Sequence, residues 1–362
     1  MSKIIKATVA FLLLSLALIL VGKIVLPNMG PKLFEKAVGQ RLLANPLDEF
    51  EDGLHVILIG TGSPLADPTR AGPSTAILTG QSLYIVDSGG GAVRKMGELG
   101  VPPARVKATF LTHFHSDHFD GLGELMLQRW AGGSHKTPMP VYGPTGVERV
   151  IEGLNNAYAQ DRDYRIAHHG EAVVPRSGFG GTAMPFEIGS TGIVFKDGDL
   201  IVTAFTVDHK PVAPAVGYRF DYKGRSVSIT GDTAYDPTLI AKVKGSDLFI
   251  SEALSPTMVG VMNKAATDAG AKNIAKIMSD ILDYHISPEQ AAEVAQAAEV
   301  DSLVFTHIVP ALPTKALHKY FLGDAPSKFD GDITIGEDGM MFSLPPSDGV
   351  AKSTIIDKSR LN

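Results

Sequence analysis

From Leu54 onward, short apolar runs alternate with glycine- and proline-rich turns, a pattern that predicts many short strands. The first is Leu54-His55-Val56-Ile57-Leu58-Ile59-Gly60, a buried strand ending in the turn Gly60-Thr61-Gly62-Ser63-Pro64. Further strands are predicted at Thr75–Leu78, Ser82–Val86, Ala108–Leu111, Met139–Tyr142, Gly192–Phe195, Leu200–Val207, Ala215–Asp221, Ser226–Thr230, Leu248–Glu252 and Ser302–Thr306. Helices are predicted at Ala92–Leu99, Gly121–Trp130 and Pro288–Ala298. Residues Asn155–Glu187 have weak periodicity with Gly and Pro, and read as a long loop and candidate pocket wall. Two strand-rich halves, each finishing in helices, predict an α/β sandwich of two sheets with helices outside.

The N-terminus follows a different pattern. Lys3 and Lys6 precede an apolar run from Ala7 to Gly22, closed by Lys23. Only Ser15 interrupts Val9–Val21, so the run has no amphipathic face and does not read as a core helix. Snorkelling lysines extend it toward the roughly 20 residues a bilayer needs. No A-x-A cleavage pattern follows, which favours an uncleaved signal-anchor over a cleaved signal peptide. The lysines on the short side predict Met1 in the cytoplasm and the rest outside it, in a periplasmic location. The expected organisation is a signal-anchor over 1–27 and a tether over 28–52 with a short amphipathic stretch around Leu33–Leu43. One catalytic domain over 53–345 and a loosely held tail over 346–362 complete it.

Composition narrows the chemistry. The net charge is -6 and there is no dense Lys/Arg run, so a nucleic-acid partner is not expected. The chain has no cysteine, so a metal site must be built from His, Asp and Glu, and no thiol nucleophile exists.

The run Thr112-His113-Phe114-His115-Ser116-Asp117-His118 follows a short apolar strand, placing its imidazoles and carboxylate where the backbone curls and side chains can converge. Such a set can serve two cations a few ångströms apart, each with about four N/O ligands. A solvated histidine-rich loop would not end a buried strand. Three other features carry less. His168-His169 fall in the predicted loop, as a solvated pair or a pocket element. Trp130, the only tryptophan, reads as packing for the helix after the histidine run, and Gly89-Gly90-Gly91 as a tight turn without the Lys-Ser/Thr of a phosphate-binding loop.

His113-x-His115-x-Asp117-His118 resembles the H-x-H-x-D-H motif of the metallo-β-lactamase superfamily, and the likeness extends from about Leu54 to Pro310 through Asp87, His209, Gly231-Asp232-Thr233 and His307. The resemblance implies an αββα sandwich and two zinc ions, with Mn2+ or Fe2+ as alternatives. It implies that His113, His115 and His209 hold one ion, that Asp117, His118 and His307 hold the other, and that Asp232 bridges them. A sharper likeness is to the ribonuclease Z and arylsulfatase-like branch. It rests on Val141-Tyr142-Gly143-Pro144-Thr145-Gly146, Ser251-Glu252-Ala253, Tyr284-His285-Ile286-Ser287 and Leu303-Val304-Phe305-Thr306-His307. It implies that His285 donates a proton to the leaving oxygen, that Glu252 orients it, and that Asp117 helps hold and deprotonate the water. A histidine that only caps the helix near Pro288 is the alternative for His285.

The chain departs from that branch in two places. Only Lys210–Gly231 separates His209 from Asp232, too short for the Gly/Pro-rich arm with which transfer-RNA processing enzymes grip RNA. Asp87-Ser88-Gly89 replaces a cysteine-containing turn. The resulting expectation is a hydrolase of a small-molecule sulfate or phosphate ester, with no nucleic-acid partner and contact with the membrane only through the N-terminus. Lactonase and β-lactamase activities fit the same ligands, and an exported metal-binding protein without catalysis is the reading from another class. The oligomeric state is left open, a homodimer among the options.

Overall fold

The computed structural model describes residues 13–15, 19, 21–43, 47, 50–346 and 354–356. These fall into two compact units, Met1–Glu49 and Phe50–Asn362.

In the first unit a π-helical turn, Val21–Val25, runs into a helix over Leu26–Leu43. The segment expected as a tether is therefore largely helical. Lys32, Leu33, Glu35 and Lys36 are good helix formers, and their preference outweighs the Pro27, Gly30 and Pro31 that suggest a linker. The apolar run Ala7–Gly22 lies mostly outside the described residues. Among the described residues, no helix is long and apolar enough to cross a membrane.

The second unit is built on two sheets. Its strands are β1 (Leu54–Gly60), β2 (Ser74–Thr79), β3 (Ser82–Val86), β4 (Val106–Phe110), β5 (Met139–Pro144), β6 (Gly181–Phe186), β7 (Thr191–Asp197) and β8 (Leu200–Thr206). They continue with β9 (Val216–Tyr222), β10 (Arg225–Ile229), β11 (Leu248–Leu254), β12 (Ser302–Val309), β13 (Asp332–Ile335), β14 (Met341–Leu344) and β15 (Thr354–Ile356). One sheet runs β15-β14-β1-β2-β3-β4-β5-β6 and the other β13-β12-β11-β10-β9-β8-β7. Both are mixed: β3 to β6 and β10 to β13 pair in parallel, and the remaining neighbours are antiparallel.

The two sheets bury one core between them. Val56, Leu58, Ile77, Tyr84 and Phe110 from the first face Val202, Tyr218, Phe220, Val227 and Ile250 from the second. Phe110 sits at its centre, with its ring 5.6 Å from Phe220 edge-on and 5.2 Å from Tyr142 in a stack. Strand alternation explains why the central runs are almost wholly apolar. Leu248 and Ile250 point into the sandwich, while Phe249 points out against Ala291, Ala292 and Ala295 of the helix Pro288–Ala297. That helix begins in a capping box, with Ser287 accepting from the Gln290 N–H and the Gln290 side chain accepting from the Ser287 N–H. The αββα arrangement implied by the resemblance is the fold.

The region read as a loop, Asn155–Glu187, instead contains the end of a helix over Val147–Ala157, a second helix over Ala159–His169, and β6. The second helix buries no residue, so it lacks the apolar stripe on which helix recognition rests. Its surface is held by pairs such as Asp161–Arg165 at 2.6 Å. Trp130 is fully buried and donates its indole N–H to the Pro175 carbonyl at 2.6 Å, a packing role.

Candidate metal centre

The histidine run leaves β4 at the end of the sandwich, where a 3-10 turn over Ser116–His118 turns Asp117 and His118 back toward His113. His209 follows β8, Asp232 follows β10, and His307 lies near the end of β12. Four separate strands of two sheets thus deliver their polar side chains to one edge of the core.

Backbone distortions aim two of these groups. His307 has φ 45° and is the extra residue of a bulge, because Glu252 pairs with Thr306 while Ala253 pairs with Ile308. In regular alternation, with Val304 facing inward, His307 would point to the outer helix layer. The bulge turns it to the site. Asp87, with φ 54° at the end of β3, accepts from the Thr112 N–H at 2.9 Å and the Thr112 hydroxyl at 2.8 Å. It also lies 2.8 Å from His118 Nδ1, which leaves His118 Nε2 facing inward.

The result is two groups of donor atoms around one carboxylate oxygen. Asp232 Oδ2 lies 3.3 Å from His118 Nε2, 3.5 Å from His307 Nε2, 3.7 Å from His113 Nε2 and 3.8 Å from His209 Nε2. On one side, His115 Nδ1 is 3.0 Å from His113 Nε2 and 3.3 Å from His209 Nε2. On the other, Asp117 Oδ2 is 3.3 Å from His307 Nε2 and 3.5 Å from His118 Nε2. Ligands about 2.0–2.1 Å from a tetrahedral cation lie about 3.4 Å from one another, so both groups have the spacing a cation requires. The seven residues named from sequence are brought together as His113, His115, His209 and Asp232 beside Asp117, His118 and His307.

Electrostatics suit cations as well. Burial drives His113 well below the usual imidazole range and His209 down to about 4, so both keep free lone pairs at neutral pH. Burial also works against charge on His118, but Asp232 and Asp87 outweigh it and raise that imidazole well above its ordinary value. Asp232 is buried, yet the surrounding imidazoles hold its carboxyl well below the carboxylate range. Among the described residues, buried His118 Nε2 and Asp232 Oδ1 have no hydrogen-bond partner. An inward-facing nitrogen and an anionic oxygen left in this state fit a bound cation.

His285 and Glu252 stand beside this set. Glu252, in the wholly buried strand β11, places Oε1 2.8 Å from His285 Nδ1 and accepts the Thr233 N–H through the same oxygen at 2.9 Å. The His285 ring stacks on His307 at 5.6 Å and meets His209 at 5.3 Å. Burial opposes its protonation, but the Glu252 charge and hydrogen bond prevail and the pKa rises to about 9. His285 is thus held within the site by a carboxylate, beyond any role near the helix cap. In the sequence Asp87 is only a family landmark, and its contact with His118 is one that no local pattern encodes. His168 and His169 end the helix Ala159–His169 as exposed residues, the solvated pair rather than a pocket element.

Residues 86–308 match the family described as Beta-lactamase superfamily domain. A ribonuclease Z of Mycobacterium avium (strain 104) is 34% identical over 287 residues, covering 79% of this chain and 96% of that protein. A ribonuclease Z of Mycobacterium bovis is 32% identical over 289 residues, with the same coverage. Among solved structures, the metallo-beta-lactamase fold protein YhfI from Bacillus subtilis aligns at TM-score 0.59 and 18% identity, covering 81% of this chain and 100% of that one. The short form of human tRNase Z aligns at TM-score 0.53 and 22% identity, over 80% of this chain and 99% of that one. These relatives overturn the expectation of a small-molecule ester substrate with no nucleic-acid partner, because proteins more than 30% identical to this chain over 96% of their own length are named as ribonucleases. That expectation leaned on the short Lys210–Gly231 interval, which lacks an RNA-gripping arm but leaves the metal centre whole, and on whole-chain charge, which is a sum over the surface and does not report the local field at a site.

Proposed function

Since the chain belongs to the metallo-β-lactamase superfamily, as a hydrolase resembling ribonuclease Z, we propose that it cleaves phosphodiester bonds of RNA with two divalent cations, most simply zinc. The superfamily usually binds divalent metals. The observation that carries the reading is Asp232 Oδ2 within 3.3–3.8 Å of four imidazole nitrogens, with the Glu252–His285 pair alongside. His113, His115 and His209 would hold one cation, Asp117, His118 and His307 the other, and Asp232 both. Cations there would polarise a phosphoryl oxygen and lower the pKa of water.

The protein's own groups do the rest. Asp117 Oδ2, beside His118 and His307, helps orient the attacking water and accept its proton. His285 supports a proton at Nε2 because Nδ1 is engaged by Glu252, and it delivers that proton to the departing ribose oxygen. A ribose alkoxide leaves poorly, so this donation matters for a phosphodiester of RNA. The signal-anchor reading of residues 1–27, with the enzyme outside the cytoplasm, stands as a proposal drawn from Lys3, Lys6 and the apolar run alone.

The test is to assay the full chain on bis(p-nitrophenyl) phosphate, on RNA oligomers and a precursor transfer RNA, and on a lactone and a chromogenic cephalosporin. Phosphodiester cleavage that chelation abolishes and zinc restores is the expected result. Turnover confined to the lactone or the cephalosporin would overturn it.

A further inference from the structure

Between the segments that follow β1 and β12 lies an apolar groove of about 640 Å³ that the catalytic reading leaves unassigned. Its walls include Leu65 from the loop after β1, Met258 and Met262 from the helix Pro256–Asp268, and Pro310, Leu317 and Tyr320 after β12. We propose that this groove seats an unpaired nucleobase next to the scissile phosphate of an RNA strand; the inference rests on the RNA reading above.

The groove is lined by the chain segment that leaves the catalytic site. Pro310 stands three residues past His307 on the same chain segment. Leu65 and Met262 pack in one apolar cluster with Tyr284, and Tyr284 lines the opening of about 410 Å³ that reaches His115 and His209. Groove and opening thus flank one apolar cluster, built from Leu254, Val259, Met278, Ile281 and Val309. Three residues span at most about 11 Å of chain, so the Pro310 wall is within reach of a strand whose phosphate sits between the two ligand groups.

Its chemistry suits a base read by its face and not by its edge. The one charged wall residue, Asp67, is turned to the Thr69 hydroxyl at 2.7 Å, the Thr69 N–H at 2.8 Å and Arg70 at 3.6 Å. The remaining walls supply polarisable methionines and the half-exposed ring of Tyr320, surfaces on which any base stacks. Its size falls within the roughly 300–1,000 Å³ of small-ligand pockets. The segment that carries Tyr320 also carries exposed Lys315 and Lys319, the basic and aromatic interleaving that follows a single-stranded backbone. Lys315 also faces Glu337 at 3.7 Å. Those lysines favour a polyanion over a second copy of the chain as occupant.

The experiment uses the full chain with zinc and matched RNA oligomers that carry either an intact or an abasic nucleotide on each side of the cleaved bond. On one side, the intact substrate is expected to show a KM lower by roughly tenfold or more. Tyr320→Ala should erase that advantage and Tyr320→Trp should restore it. Lys315→Ala with Lys319→Ala should flatten the salt dependence of RNA binding. Equal KM for intact and abasic substrates, equal losses on both in Tyr320→Ala, or a change of oligomeric state in Tyr320→Ala would each overturn the groove assignment alone. Hydrolysis of bis(p-nitrophenyl) phosphate without cleavage of any RNA would overturn the RNA reading and the groove assignment together.

Discussion

Glu252 Oε1 lies 2.8 Å from His285 Nδ1 while also accepting the Thr233 N–H, so the imidazole is fixed by a buried carboxylate that is itself fixed by backbone. A proton donor held in this way matters in proportion to how badly the leaving group needs a proton. His285→Ala should cost little on a p-nitrophenyl ester and on the order of 10²–10⁴ in rate on an alkyl phosphodiester. Glu252→Gln should follow the same trend more weakly. Equal losses on both leaving groups, or loss of metal from His285→Ala, would remove the proton-donor role.

Asp232 Oδ2 is shared by both donor groups, whereas His209 belongs to one. Metal analysis of the wild type should find about two ions per chain. Asp232→Ala should deplete both sites, and His209→Ala mainly one. Asp87→Asn should weaken binding about 10–100-fold without removing a ligand, because the Asp87 carboxylate orients His118. Retention of two ions in Asp232→Ala would exclude the bridging role.

His55 gives a prediction away from the site. Its ring lies against Ser343 on one side and 2.9 Å from the Glu51 carbonyl on the other, and burial lowers its pKa from 6.5. The folded state thus prefers neutral His55, and the unfolded chain binds its proton first. The contribution to stability is full above about pH 6.5 and declines as the pH falls below it. Denaturant midpoints measured from pH 7.5 to 5 should fall more steeply in the wild type than in His55→Phe. Parallel profiles would show that His55 does not set this slope.

The N-terminal proposal is tested in cells. If residues 1–27 anchor the chain with Met1 inside, protease added to intact spheroplasts should digest the protein beyond that segment. Protection of the whole chain, or a mature N-terminus near Val25, would exclude an uncleaved outward-facing anchor.

Local patterns along the chain were enough for the sandwich, and with the family resemblance for all seven donors. Period-2 alternation and apolar runs bounded by glycine and proline are local signals, so strands such as β1, β3, β8 and β11 were legible within a few residues. His113 to His118 was legible because its ligands are adjacent in sequence. Where the apolar signal was weak, the reading failed. The helix Ala159–His169 buries nothing and passed for a loop, and β13, β14 and β15 gain their strand character from the partners beside them.

How the ligands are used follows from contacts between distant strands. His115 offers Nδ1 where His113, His118, His209 and His307 offer Nε2. Asp87 selects the His118 nitrogen from 31 residues away, and one inserted residue in β12 swings His307 from the outer helix layer to the site. Each depends on where a second strand lies. A linear pattern records which side chains exist along a strand, whereas the direction in which a bulged residue or an imidazole nitrogen points is set by contacts across the fold.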